Sequence, residues 1–260
     1  DLALQSAMEG QGIKISVTSP QSILGYKTFA VNDSNYIYIG RDHRVSADLR
    51  LLANDGTGVQ VSTDDADESS LQNITISMNR FELGKLFTVL PFTPKMSGML
   101  VGDYHIVKTK EDLTVSSDMT IKNLVYEGNP MGDVGTQLVY MPKDDGSHYV
   151  DAVITKNGNE VGELSGVYHS KDKGDLDATL TMDHFPLNYV NGFVPNQIVG
   201  LQGNGEGSLT VKGPLKNLDI NGEVYLDSAY LVSVPYGLKM RFANDPVLIK
   251  DSKIQFENFE

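Results

Sequence analysis

Apolar residues fall at every second position through most of this chain, and turn-forming residues punctuate them. The stretch 203–242, GNGEGSLTVKGPLKNLDINGEVYLDSAYLVSVPYGLKMRF, carries the pattern most plainly. It predicts a run of short strands at 208–211, 218–220, 223–226, 230–232 and 238–242, each closed by Gly, Pro or Asn. The same alternation predicts strands at 12–17, 26–31, 35–39, 44–52, 58–62 and 72–78. Asn32, Asp33 and Ser34 read as one hairpin turn, and Asn54, Asp55 and Gly56 as another. Short strands are expected again over 98–140 and 149–182, with turns at 143–146, 156–159 and 171–174. The period changes at 81–90. Leu83, Leu86, Phe87 and Leu90 lie on one helical face, which predicts a short helix stopped by Pro91. A weaker helical stretch at 186–194 is interrupted by Gly192.

The pattern recurs. Met78, Phe81, Leu83 and Pro91 match Met182, Phe185, Leu187 and Pro195 at an offset of about 104 residues. With small shifts, Leu113 and Val115 match Leu218 and Ile220, Met119 and Ile121 match Val224 and Leu226, and Pro130 and Gly132 match Pro235 and Gly237. Two copies follow, at 42–145 and 146–260, with 1–41 closing a preceding repeat, all within one continuous elongated β structure. Such a period exceeds that of ordinary solenoids, so each unit is itself a stack of strands.

Composition narrows the function classes. With 40% hydrophobic and 21% charged residues, the chain is a folded, water-exposed protein. A net charge of -13 excludes the basic stripe that nucleic-acid binding needs, so no nucleic-acid partner is expected. No window is apolar enough for a membrane span, and Asp1, Leu2, Ala3 and Leu4 do not begin a signal peptide. The closing alternation at 253–259 reads as a piece of a longer protein, with any anchoring segment outside it.

Candidate chemistry is sparse. His43, His105, His148, His169 and His184 show no metal-ligand spacing among themselves. The acidic run with Asp64, Asp65, Asp67 and Glu68 lacks the order of a calcium loop and reads as a solvated hairpin. The glycines of GNGEG at 203–207 open onto a strand, which favours a tight turn over a phosphate cradle. No nucleophile elbow, cysteine nucleophile or distinguishable acid–base pair is present, so no catalytic residues, metal or cofactor are expected and the chain does not read as an enzyme.

Strands with one apolar face must bury it against something. Sheets can close on one another as tandem β-sandwiches, which would suit a cell-surface or periplasmic binding or adhesive module. Alternatively, the sheet can curl into an open trough whose lining is filled by a hydrophobic ligand, since monomers rarely leave large apolar patches bare.

One further pattern bears on that choice. Phe185, Leu187 and Pro195 are followed by Gly200, Gly203, Gly205, Leu209, Val211 and Gly213, then by Ile220, Gly222, Val224 and Leu226. This arrangement resembles the C-terminal repeat region of the TamB and AsmA-like group of Gram-negative envelope proteins. The likeness is strongest over 182–259 and is echoed at 76–140. The resemblance implies an all-β fold: an elongated repetitive antiparallel sheet curled into an open hydrophobic groove, a β-taco, with about one short helix per repeat. It also implies a periplasmic segment of a protein anchored in the inner membrane. Its groove would carry phospholipid acyl chains toward the outer membrane or assist outer-membrane protein assembly and secretion, with an Omp85-type barrel as partner. The family supplies no catalytic set. It implies a groove lining of alternating apolar positions: Ile74, Ile76, Val115, Ile121, Leu180, Met182, Leu209, Val211, Ile220, Val224, Leu226, Met240 and Phe242.

Overall fold

The alternation does produce strands, many of them longer than the turn residues suggest. A computed structural model describes residues 3–24, 27–66, 69–86, 94–171, 174–193, 199–233, 235–241 and 246–255. Strands take up 72% of the described residues and helix only a small share, so the protein is all-β, an antiparallel sheet of many strands that does not close into a barrel. No helix among the described residues is long and apolar enough to cross a membrane. The chain divides into two compact units, Asp1–Thr93 with Ser97–Ile121, and Pro94–Met96 with Lys122–Glu260. This division is one of contacts and does not coincide with the copies of the repeat.

The first unit holds β1 (Leu4–Glu9), β2 (Gly12–Val17), β3 (Gln21–Leu24), β4 (Lys27–Val31), β5 (Tyr36–Ile39), β6 (Val45–Leu52), β7 (Gly58–Thr63), β8 (Gln72–Glu82), a one-turn helix α1 (Leu83–Leu86) and most of β9 (Met96–Lys108). β10 (Leu113–Tyr126) begins in this unit. Antiparallel pairing runs β1–β2–β5–β6–β7–β8–β9. The β3–β4 hairpin stands aside and pairs with the ladder where Ala30 and Val31 meet Leu52 and Leu51. Phe29 carries its packing, buried with Leu51 and Ala53 against Val31, Leu49 and Val59. Lys27 Nζ ties the hairpin to the β6–β7 turn by donating to Asp55 Oδ2 and Thr57 Oγ1, each at 2.6 Å.

The second unit holds β11 (Asn129–Pro142), β12 (Ser147–Lys156), β13 (Asn159–His169), β14 (Asp175–Pro186), a 3-10 helix (Leu187–Phe193), β15 (Val199–Pro214), β16 (Asp219–Ser233), β17 (Leu238–Arg241), β18 (Val247–Lys250) and β19 (Lys253–Gln255). From β11 to β16 each strand pairs antiparallel with the next in the chain. One end of β16 then pairs with β17 and the middle with β18, which pairs with β19. No strand of this run switches to a facing sheet, as a sandwich of Greek-key type would require.

Two expectations are corrected here. The run of short strands expected over 203–242 contains two long ones, because β15 passes unbroken through GNGEG and β16 through Gly222 and Ser228. GNGEG is therefore neither a turn nor a phosphate cradle. The helices also invert. The stretch at 81–90 shows strand at Phe81 and Glu82 and one turn from Leu83 to Leu86, while Phe87, Leu90 and Pro91 lie outside the described residues. The stretch expected to be weaker forms the longer helix, of 3-10 type. Gly192 does not break it. A Cβ there would come 2.5 Å from Tyr126 Cδ1, so the position needs glycine for packing. Asn191 then fastens the helix, accepting from Leu201 N and donating to Leu201 O.

The repeat offset reappears in the backbone. β8 slips register between Met78 and Phe81, with Arg80 at φ 56°, and β14 slips between Met182 and Phe185, with His184 at φ 51°. Asn123 on β10 and Ser228 on β16 share a positive φ, 51° and 50°, at a similar offset. Each slip inserts an extra residue and bends its strand.

Candidate apolar groove

Directly paired residues of antiparallel strands project to the same side of the sheet. Register therefore sorts every paired side chain into one of two faces. In the second unit one row runs Leu138, Ala152, Leu164, Leu180, Leu209, Gly222 and Ile249. Beside it runs Tyr140, Val150, Gly166, Ala178, Val211 and Ile220. On the other side lie Thr136, Ile154, Gly162, Met182, Gly207, Val224 and Val247, and beyond the bulge Phe185, Gly205 and Leu226. The intervening rows carry the opposite face, with members such as Gln137, Asp151, Ser165, Thr179, Thr210 and Asn221. One face is apolar from strand to strand; the other is mostly polar, with Val139, Val153 and Val167 interspersed.

Cover over the apolar face is uneven. The 3-10 helix packs Leu187 onto Met182, Val224, Leu226 and Ala229, all more than nine-tenths buried. Leu138, Val150, Leu164, Leu209, Val211 and Ile220, on the same face, are only half-buried. Glycines let large neighbours lie flat against the sheet. A Cβ on Gly162 would come 3.2 Å from the Phe185 ring, and one on Gly205 would come 3.1 Å from Leu187 Cδ2.

The first unit is built alike. Ile74, Ile76, Met78 and Phe81 pair with Ile106, Tyr104, Gly102 and Leu100, while Val61 and Val59 pair with Leu49 and Leu51. The Tyr104 hydroxyl meets Met119 Sδ, which puts Met119, and with it Val115 and Ile121 by alternation, on this face. On β1, β2 and β5 the apolar row Met8, Ile13 and Ile39 is exposed to solvent.

The expected lining residues thus sort by face. Ile74, Ile76, Val115 and Ile121 share the apolar face of the first unit, half-buried. Leu180, Met182, Leu209, Val211, Ile220, Val224 and Leu226 share that of the second, where only Met182, Val224 and Leu226 are covered. Met240 pairs with Leu231, which packs on the covered cluster, yet Met240 itself is 39% exposed. Phe242 and Pro195 lie outside the described residues.

Three polar features went unseen in the sequence. Lys156 pairs with Val134 and so stands at the edge of the apolar face, its Nζ 6.0 Å from the centre of the Tyr189 ring. Tyr189 packs edge-on against Phe185, and burial pushes its hydroxyl up to about 12, so it stays protonated. At the opposite edge Tyr140 stacks on His148 and Tyr168 leans against it at a tilt, with the Tyr140 hydroxyl 2.7 Å from His148 Nδ1. On the polar face, the β14–β15 pairing brings Asp183, His184 and Glu206 together, the one group among the described residues with metal-ligand spacing. His184 Nδ1 lies 2.7 Å from Asp183 and Nε2 3.2 Å from Glu206, and the hydrogen bond to Asp183 and the charge of Glu206 raise its pKa. Both ring nitrogens are thereby engaged, which is the arrangement of an imidazolium held between carboxylates.

Elsewhere polar groups converge little. Two shallow depressions of about 310 and 430 Å³ share Tyr38 and Ser46 on the polar face of the first unit. In the acidic loop, Asp65 accepts from Ser46 Oγ at 2.6 Å and Asp64 from Ala66 N at 3.2 Å, while Asp67 and Glu68 lie outside the described residues. No family model matches this chain, and neither does any curated protein or solved structure.

Proposed function

We propose that this chain is a segment of an envelope-biogenesis protein of the TamB and AsmA-like type, and that its apolar β-face carries phospholipid acyl chains in the periplasm. One observation carries the reading. An apolar face continues across β11 to β18, and its large side chains are fully covered beneath the 3-10 helix but half-buried along the Leu138 and Val150 rows. Apolar surface in excess of a few hundred Å² marks a place where something hydrophobic binds. Seven strand positions in the central row span about 29 Å at the usual strand spacing, room for an extended acyl chain. Each methylene buried is worth about 0.8 kcal/mol, so a chain of roughly 16 carbons gains at most about 13 kcal/mol without any directional contact. A site of this kind needs no motif. The polar face would stay in water, which suits the net charge of -13. In a longer protein the same groove would feed an Omp85-type barrel in the outer membrane, for lipid delivery or protein assembly.

Photo-crosslinking tests the reading. A benzophenone side chain at Leu164 or Ile220, on the apolar face, should label radioactive phospholipid. At Ser165 or Asn221, on the polar face of the same strands, it should not. Equal yields from the two faces, or none from either, would sink the acyl-carrying reading and favour a closed binding module.

A further inference from the structure

Five register rows cross the apolar face of the second unit, and among their described residues Lys156 is the only lysine or arginine. Lys14, Lys27, Lys85 and Lys212 each reach a carboxylate. Lys156 has no carboxylate partner among the described residues. Its ammonium rests instead against the Tyr189 ring. Holding an ammonium beside half-buried apolar groups without a counter-ion is unfavourable, and a ring face offsets only part of that.

Tyr189 adds a second, independent sign. It is 6% exposed, and its hydroxyl has no hydrogen-bond partner. Buried hydroxyls are nearly always bonded, so this one still has a hydrogen to offer an acceptor. Together the two residues offer up to four hydrogens and, while Tyr189 keeps its proton, a positive charge. The complementary ligand is anionic, rich in acceptor oxygens, and joined to something that lies along the adjoining apolar rows. A phosphate ester on a diacylglycerol has all three properties. The rest of the chain, at net charge -13, would repel such a group, which makes one unpaired cation on this face selective.

We propose that Lys156 and Tyr189 form the headgroup end of the groove and hold the phosphate of an anionic glycerophospholipid. The proposal rests on the acyl-carrying reading and extends it by naming the lipid class and the direction in which the lipid lies. The phosphate sits at the Lys156 edge and the chains run toward the Leu138 and Tyr140 rows.

Three probes separate the possibilities by native mass spectrometry: phosphatidylglycerol, the diacylglycerol with the same chains, and glycerol 3-phosphate. The full chain should retain phosphatidylglycerol about tenfold better than diacylglycerol, the worth of one charge-assisted bond. Lys156→Met keeps the apolar stem and should bring the two lipids to parity by losing phosphatidylglycerol alone. Lys156→Arg should restore the preference, and Tyr189→Phe should weaken it. Unchanged selectivity in Lys156→Met would overturn the headgroup site while leaving acyl carriage intact. Lys156-dependent binding of glycerol 3-phosphate with neither lipid retained would show a free-anion site instead. Retention of no probe by the native chain would overturn acyl carriage and the headgroup site together.

Discussion

Leu226 and Ile220 share a strand and a face and differ in what covers them, so truncating each to alanine measures the cover directly. Leu226 is 8% exposed, beneath Leu187 and beside Met182 and Val224. Leu226→Ala should lose the transfer free energy of the removed carbons and leave a cavity the 3-10 helix cannot fill, together about 3 kcal/mol. Ile220 is half-buried, on the row with Val211, with no described helix above it. Part of its side chain already meets water, and any gap left by truncation opens to solvent, so Ile220→Ala should cost about 1 kcal/mol. Urea unfolding followed through the 12 tyrosines gives both values, since there is no tryptophan to dominate the signal. The shift in midpoint is converted with the native slope, provided that slope is unchanged in the variants. Saturating phospholipid should then raise the cost of Ile220→Ala, because the variant loses part of the stabilisation that ligand binding supplies. Equal costs for the two substitutions without lipid would mean that Ile220 is as well covered as Leu226, and the groove would be a closed core.

Two further outcomes follow from single residues. Ser22 is 0% exposed, opposite Phe29, and its Oγ has no partner, so Ser22→Ala should raise the urea midpoint by the equivalent of about 1 kcal/mol; a lower midpoint would show that the hydroxyl is bonded. His184 has its pKa raised by Asp183 first and then by Glu206. Its stabilising contribution is therefore complete below the ordinary histidine value of 6.5 and disappears as pH rises through the raised one. The Tm difference between native protein and His184→Gln should shrink across that window, and a difference constant with pH would refute the assignment.

Much of the strand pattern was legible, and the failures have one physical origin. β2 spans the residues its alternation marks, and β6 and β7 fall within a residue of theirs, since their turns hold Asn, Asp and Gly between strands that end there. β15 and β16 were cut into pieces because Gly203, Gly205, Gly207 and Gly222 read as turn residues. A glycine that ends a strand and one that makes room for a neighbour are the same letter. Only the cross-strand partner separates them: Gly205 lies opposite Leu226 with Leu187 over it, and Gly222 opposite Leu209. The helix at 187–193 was undervalued on the same ground, because the reason for Gly192 is Tyr126, far away in sequence.

The candidate site divides along a similar line. Alternation alone assigns Leu180, Leu209, Val211 and Ile220 to a common face, because side-chain period and strand parity are local properties. Cover is not local. Nothing in the neighbourhood of Val224 distinguishes it from Val211, yet the 3-10 helix buries the first and leaves the second half open. Lys156 shows the limit most sharply. In sequence it is the first residue of a polar turn, where a lysine calls for no explanation. Its place on the apolar face depends on pairing with Val134, and its contact with Tyr189 on where the helix after β14 comes to rest. A site that is a surface, made of repeated apolar positions, is announced by periodicity. The single polar group that would give such a surface a direction has no period, and only the assembled register brings it into view.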